Sequence, residues 1–294
     1  MASKNIIQTI GNTPLVELKH YSTDKVKIFA KLEGNNPGGS VKDRIALYLI
    51  ENALKNGLLT PNKIIFEATS GNTGIGIAMI ATILGYKFIA VMPESASIER
   101  RRIMKAFGAE IILTDGTKGT NFAIETAKEM AEKNPNYIIL DQFANNANVQ
   151  AHYETTAPEI ITDAPNITHF VAGMGTGGTL MGVGKKLKEY NQAIQIVGIE
   201  PIPFSKVQGL RNMASFVPPI YDEKKLDQKL VIPEDKLAFE LARELFKKEG
   251  ISAGISSGAA LWGALNLRDS ISEGNIVTLF PDRGERYSST ALFD

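Results

Sequence analysis

Four short loops concentrate the residue types that could do chemistry, three of them between a β-rich run and a helix-like stretch and the fourth opening a helix-like stretch. In NNPGGSVKDR (35–44), Pro37, Gly38 and Gly39 interrupt the preceding run and Ser40 is suited to cap the helix that follows. Lys42 then falls in the first helical turn. A cation there opposes the positive end of the helix dipole, which lowers an amine pKa and frees it for nucleophilic use. The competing reading is a solvated helix lysine. In EATSGNTG (67–74), Thr69, Ser70, Asn72 and Thr73 place hydroxyls and backbone N–H groups at a helix start. That arrangement suits an anion such as a carboxylate, and equally an ordinary well-capped turn.

The third loop, AGMGTGGTLMG (172–182), has glycines close enough for the backbone to approach a phosphate at the following helix start. Gly173, Gly175 and Gly178 also match GxGxxG, and Glu200 ends the next strand. An NAD-dependent dehydrogenase is therefore a rival reading. The fourth loop, GISSG (254–258), matches the GxSxG nucleophile elbow. A hydrolase would need its histidine after the serine, but His20, His152 and His169 all precede Ser256. The three histidines have no metal-ligand spacing either, so no metal is expected.

Composition narrows the classes further. The 294 residues carry 32 Lys plus Arg and 32 Asp plus Glu, a formal net charge of zero. No global basic excess points to nucleic acid or an anionic membrane. With no cysteine, disulfides, thiolate metal sites and a cysteine nucleophile are excluded. The opening residues lack the apolar core of a secretory signal, and the uncharged stretch 68–86 is too rich in Gly, Ser, Thr and Asn to span a bilayer. A cytoplasmic protein is expected.

The elements that must position these loops follow from periodicity. Strands are predicted at 26–33, 63–68, 87–92, 109–113, 137–140, 168–172, 195–200 and 275–280. Helices are predicted near 41–56, 73–84, 97–107, 119–133, 178–189, 235–249 and 257–268. Such alternation predicts an α/β fold with parallel sheets covered by helices on both faces. The stretch 201–229, with Pro201, Pro203, Pro218 and Pro219, reads as a long irregular loop of the kind that is functional or mobile.

Taken together and in order, the loops resemble the cysteine synthase family, pyridoxal-phosphate enzymes of the tryptophan synthase β-like fold. The matching segments are KLEGNNPGGSVKDR, EATSGNTGIGIAM, LDQFANNANVQAHYETTAPEI, HFVAGMGTGGTLMGVG and EGISAGISSGAA, within a resemblance running from IGNTPLVEL to GERYSSTALF. The resemblance is to the shorter B- or M-type members. It implies two parallel-sheet, three-layer αβα domains: a large cofactor-binding domain from 1–41 and 153–294, and a smaller mobile domain from 42–152 that closes over the substrate. It implies a homodimer as well.

Carried over residue by residue, the resemblance implies that Lys42 bonds pyridoxal 5′-phosphate as a Schiff base and removes the substrate α-proton. Asn72 would hydrogen-bond the cofactor's 3′ oxygen, and Gly175, Thr176, Gly177, Gly178 and Thr179 would hold its phosphate. Ser256 would face the pyridine nitrogen, and Thr69, Ser70, Thr73 and Gln142 would grip the substrate carboxylate. The implied reaction replaces the O-acetyl or O-phospho group of an activated L-serine by sulfide, supplied free or by a sulfur carrier, to give L-cysteine. The loop GLRNMASFVPPIYD (209–222) resembles that of O-phosphoserine-using members and would set Arg211 against the leaving phosphate. Cystathionine synthesis, cysteine desulfhydration and serine or threonine deamination are alternative reactions of the same scaffold, and a partner-binding role is a further one.

Overall fold

The computed structural model describes residues 3–294. The first half of the chain holds strands β1 (Leu15–Glu17), β2 (Val26–Leu32), β3 (Ile64–Ala68), β4 (Lys87–Pro93), β5 (Glu110–Thr114) and β6 (Tyr137–Ile138). Helices α1 (Lys42–Lys55), α2 (Asn72–Leu84), α3 (Ile98–Ala106) and α4 (Gly119–Lys133) alternate with them from β2 onward. The second half begins with helix α5 (Ala147–Ala151), a π-helical turn at His152–Thr156 and helix α6 (Ala157–Asp163). It continues with β7 (His169–Gly173), α7 (Gly178–Tyr190), β8 (Gln195–Pro201), β9 (Gln228–Ile232), α8 (Asp235–Glu244), α9 (Ile255–Ser270) and β10 (Gly274–Phe280).

Two sheets result. The larger has the order β1-β2-β10-β7-β8-β9, so it draws strands from both ends of the chain. The smaller, β5-β4-β3-β6, comes entirely from the middle. Every pairing is parallel except β1 with β2. Alternating side chains build a core on each face, as the pleat requires. In β7, Val171 packs in the core shared with α8 and α9, while Phe170 and Ala172 pack in the core shared with α6 and α7. In β3, Ile65 faces α1 and α2, and Phe66 packs against Ala123 and Ala127 of α4. Parallel sheets covered by helices on both faces are the outcome that the strand–helix alternation predicts. The N-terminal turn Ile6–Thr9 crosses this partition, because Ile7 and Ile10 pack against the core of the smaller sheet.

The structure departs from the sequence reading in three places. The expected run 137–140 pairs only over Tyr137–Ile138. The expected helix at 235–249 ends at Glu244 and its last turn is π-helical over Leu245–Glu249. Strands β1 and β9 and helices α5 and α6 were not read from the sequence.

Parallel strands open their carboxyl ends in one direction, and ligands of such sheets bind beyond those ends. Here the ends of β2, β3, β7, β8 and β10 are followed by all the loops singled out above except GISSG, which opens α9. An antiparallel bridge between Ser40 and Asp282 and the bond from Val41 N to Pro281 O at 2.8 Å lash the loop before α1 to the segment after β10.

Candidate active site

A cleft of about 410 Å³ lies between the two sheets' strand ends. Its walls include Lys42, Thr69, Ser70, Asn72, Thr73, Gln142, Gly175, Thr176, Gly177, Thr179, Arg211 and Ser256. These come from six separate stretches of chain, so the fold assembles what the sequence scatters. Gly178 does not line the cleft; its Cα packs against the Asn148 side chain, where a Cβ would collide with the amide.

Lys42 opens α1, and its backbone N–H bonds Ser40 Oγ at 3.2 Å. Burial pushes the amine down to about 8, against a partial rise from the Asp282 carboxylate. Desolvation is thus the main cause of the depression, where the sequence reading invoked the helix dipole. Next to it Asp43 is fully buried, accepts a bond from Gly38 N at 2.6 Å, and is pushed up to about 7 by burial. Arg44 anchors the same turn through Glu33 at 2.8 Å and Glu159 at 2.6 Å.

The turn after β3 presents Thr69 to Thr73 at the start of α2. Gly74 N donates to Thr69 Oγ1 at 3.1 Å, and the Thr73 hydroxyl donates to Gln142 Oε1 at 2.7 Å. Facing it, the turn after β7 brings Gly175, Thr176 and Gly177 to the start of α7. Gly177 has φ of 85°, which favours glycine, and a Cβ there would lie 2.9 Å from Tyr221 Cβ. A Cβ on Gly175 would lie 2.6 Å from Gly209 O. The start of a thirteen-residue helix, with Gly178 N on the Thr176 hydroxyl at 3.4 Å, thus meets a glycine-rich backbone cradle, which suits a phosphate. Thr179 of that helix lies 3.1 Å from His152 Nε2, and His152 Nδ1 lies 2.9 Å from the Thr156 hydroxyl. Burial holds His152 well below the usual imidazole range, so it is a neutral support of this wall.

The rival readings lose their residues in this geometry. Glu200, the acid of the dinucleotide pattern, is buried and accepts Met213 N at 2.6 Å, with Lys229 at 3.5 Å. It fastens the 202–222 loop. Ser256 lines the cleft at the start of α9, but none of the cleft-lining residues is a histidine, and the buried His152 is committed to two threonines. Arg211 hangs from that fastened loop, with its backbone N–H on Met174 O at 2.8 Å. Its guanidinium lies 5.1 Å from the ring centroids of both Phe143 and Phe216, and none of the ion pairs among the described residues includes it. Burial lowers its pKa.

Several cleft residues escaped the sequence reading. Asn148 donates to Gln142 O at 2.7 Å and Thr176 Oγ1 at 3.0 Å, joining two walls. Asp282 and Tyr287 line the cleft, and Arg286 bonds Asn72 beside it. Arg100 lies over the Tyr287 ring at 5.2 Å. The only signal for this last group was charge crowded into PDRGERY directly after a buried strand.

A desolvated lysine in one cleft with a glycine-rich backbone cradle at a helix start fits a phosphorylated aldehyde cofactor. The family model described as pyridoxal-phosphate dependent enzyme matches residues 6–282. A cysteine synthase of Aquifex aeolicus is 47% identical, over 99% of this chain and 93% of the relative. Cysteine synthase B of Pseudomonas aeruginosa is 43% identical, over 98% of this chain and 97% of the relative. The crystal structure of an O-ureido-L-serine synthase superposes with a TM-score of 0.95 at 40% identity, covering 100% of this chain and 96% of that one. Among the described residues no helix is long and apolar enough to cross a membrane, and no group of three or more His, Asp or Glu could hold a metal.

Proposed function

The chain belongs to the pyridoxal-phosphate-dependent enzyme family, and from that premise we propose that it is a cysteine synthase, replacing the β-substituent of an activated L-serine by sulfide. The observation that carries the reading is the desolvated Lys42 amine in one cleft with the α7 phosphate cradle and the Thr69–Gln142 wall. When bound, pyridoxal phosphate supplies the electron sink that makes an amino acid's α-proton removable.

The chain's own residues do the rest. Lys42 would hold the cofactor, and its Nζ would take the proton from the substrate Cα. An amine near pKa 8 is basic enough to accept that proton and is partly unprotonated near neutrality. Gly175, Thr176, Gly177 and Thr179 hold the phosphate, with Gly178 placing the helix start against Asn148. Asn72 donates to the cofactor's oxygen and Ser256 offers a neutral hydroxyl to its ring nitrogen. Thr69, Ser70 and Gln142 would hold the α-carboxylate, with the Thr73 hydroxyl orienting the Gln142 amide toward it. Closure of residues 42–152 toward the larger sheet would exclude water from the reacting centre.

We assign Arg211 to the leaving group. Set 5.1 Å from the centroids of Phe143 and Phe216, which pack edge-to-face against each other, its guanidinium keeps its charge and its five donors for a ligand. Phosphate uses that fork and a neutral acetyl group does not, which favours O-phosphoserine over O-acetylserine. The same reading includes work in the cytoplasm as a homodimer, which sedimentation velocity tests by a mass of two chains.

The test is product analysis with O-phosphoserine or O-acetylserine and sulfide. Cysteine is the expected product. Pyruvate in its place, or preferential formation of cystathionine or O-ureido-L-serine when homocysteine or hydroxyurea replaces sulfide, would assign another reaction of this family.

A further inference from the structure

We propose that Asp282 is a positioning residue that, together with Arg286, locks the Asn72 side-chain amide in one orientation and so commits its remaining N–H to the cofactor. This rests on the cofactor reading above and adds to it a residue with no assigned part.

The lock follows from donor and acceptor chemistry. Asn72 Nδ2 donates to Asp282 Oδ2 at 2.6 Å, and Asn72 Oδ1 accepts from Arg286 Nη1. A carboxylate only accepts and a guanidinium only donates. Flipping the amide would set oxygen against oxygen and N–H against N–H, so one orientation survives. It leaves one Nδ2 hydrogen uncommitted, on a side chain that lines the cleft with Lys42.

Asp282 is itself held. Tyr287 donates its hydroxyl to Oδ2 at 2.8 Å, and the Asp282 carbonyl accepts Gly254 N at 3.1 Å. The carboxylate is 2% exposed and its Oδ1 has no hydrogen-bond partner. That oxygen is wedged against Gly254, where any side chain would collide with it, so the carboxylate has no room to turn away from Asn72. An unpaired buried carboxylate oxygen is costly, and a native chain retains one where the position serves another end. Arg286 is fixed in turn by a bond to Gly38 O, in the loop that delivers Lys42.

The experiment is a mutant cycle read by cofactor binding rather than turnover. Asp282→Ala, Asn72→Ala and the double variant are prepared cofactor-free. The dissociation constant for pyridoxal phosphate and the position of the bound absorption band are then measured, with thermal unfolding as the control for folding. Losing a charge-assisted partner should weaken binding about 10-fold in Asp282→Ala and move the band. Asp282→Asn keeps an acceptor oxygen and should restore most of both. In the Asn72→Ala background the Asp282 change should cost far less, leaving only what its carboxylate does through its charge near Lys42. Equal losses in both backgrounds, or an Asp282→Ala protein with unchanged affinity and band, would overturn the proposal. Should Asp282→Ala not fold, Arg286→Met enters the same cycle with the same expectation. Borohydride reduction of each loaded variant separates the two levels. Label on Lys42 with additive losses overturns the Asp282 role alone, whereas wild-type protein without label on Lys42 overturns the cofactor reading beneath it.

Discussion

The Thr73 hydroxyl donates to Gln142 Oε1 at 2.7 Å, joining two side chains 69 residues apart on opposite lips of the carboxylate wall. The bond occupies the Gln142 oxygen and leaves its Nε2 donors free, which is the polarity a carboxylate needs. Asn148 steadies the same segment through the Gln142 carbonyl. Gln142→Ala should therefore raise KM for the amino-acid donor. A lost bond to a charged group is worth about 1.5–3 kcal/mol, roughly 10- to 150-fold. Steady-state kinetics with the donor varied should show this, with KM for sulfide unchanged.

Lys42 makes stability depend on pH in a definite direction. Its folded pKa of about 8 lies below the ordinary 10.5, so the folded chain binds fewer protons than the unfolded one between those values. The cost of the buried charge is fully present below about 8 and disappears as pH rises toward 10.5. In cofactor-free protein, Lys42→Met should raise the unfolding temperature at pH 7, and the gain should shrink toward pH 10. A gain that grows with pH would contradict the burial argument.

Glu67 carries the opposite sign. It is buried at the end of β3, accepts Leu140 N at 2.9 Å and Asp141 N at 3.1 Å, and is pushed up to about 7 by burial. Its folded pKa exceeds the ordinary 4.5, so the stability it contributes is present below that value and is lost as pH rises through about 7. A glutamine oxygen can accept the same two backbone bonds without charge. Glu67→Gln should raise the urea midpoint at pH 8 and leave it nearly unchanged at pH 4.5.

Arg211→Ala should separate the two donors. Removing the guanidinium should lower kcat/KM for O-phosphoserine by about 10- to 150-fold and barely change it for O-acetylserine. Equal loss on both would mean that Arg211 supports the 202–222 loop and does not choose the leaving group.

Much of this arrangement was legible before folding, and the exceptions have physical reasons. Strands such as KFIAVM and helices such as Gly119–Lys133 announce themselves by apolar period, and glycine clusters marked the turns that line the cleft. The α5–α6 segment did not, because apart from Ile160 its buried positions are Ala147, Asn148, Ala151, His152, Thr156 and Ala157. Small and polar residues carry little periodic signal, and Pro158 reads as a breaker although it stands at the first turn of α6. Strand β9 has two of five residues charged or amide-bearing and a single fully buried one, as an edge strand does. The cleft's charged frame of Asp282, Arg286 and Arg100 was hidden for a different reason. Charges in a short turn or on a helix normally face solvent; Asp282 is buried where β10's end crosses the α1 loop, and Arg100, on α3, is buried over the Tyr287 ring.

The central claim is that Lys42 bears the cofactor, and one measurement meets it directly. Purified protein loaded with pyridoxal phosphate is reduced with borohydride, digested and mapped by mass spectrometry. Lys31 is fully buried against Glu159 at 2.9 Å and the Thr13 carbonyl at 2.6 Å, and Lys185 lies over the Tyr153 ring outside the cleft. Neither is placed to react. The expected result is one pyridoxyl group per chain, on Lys42, with the visible band discharged in step. A label on Lys31, Lys185 or any other lysine, with Lys42 unmodified, would contradict the account.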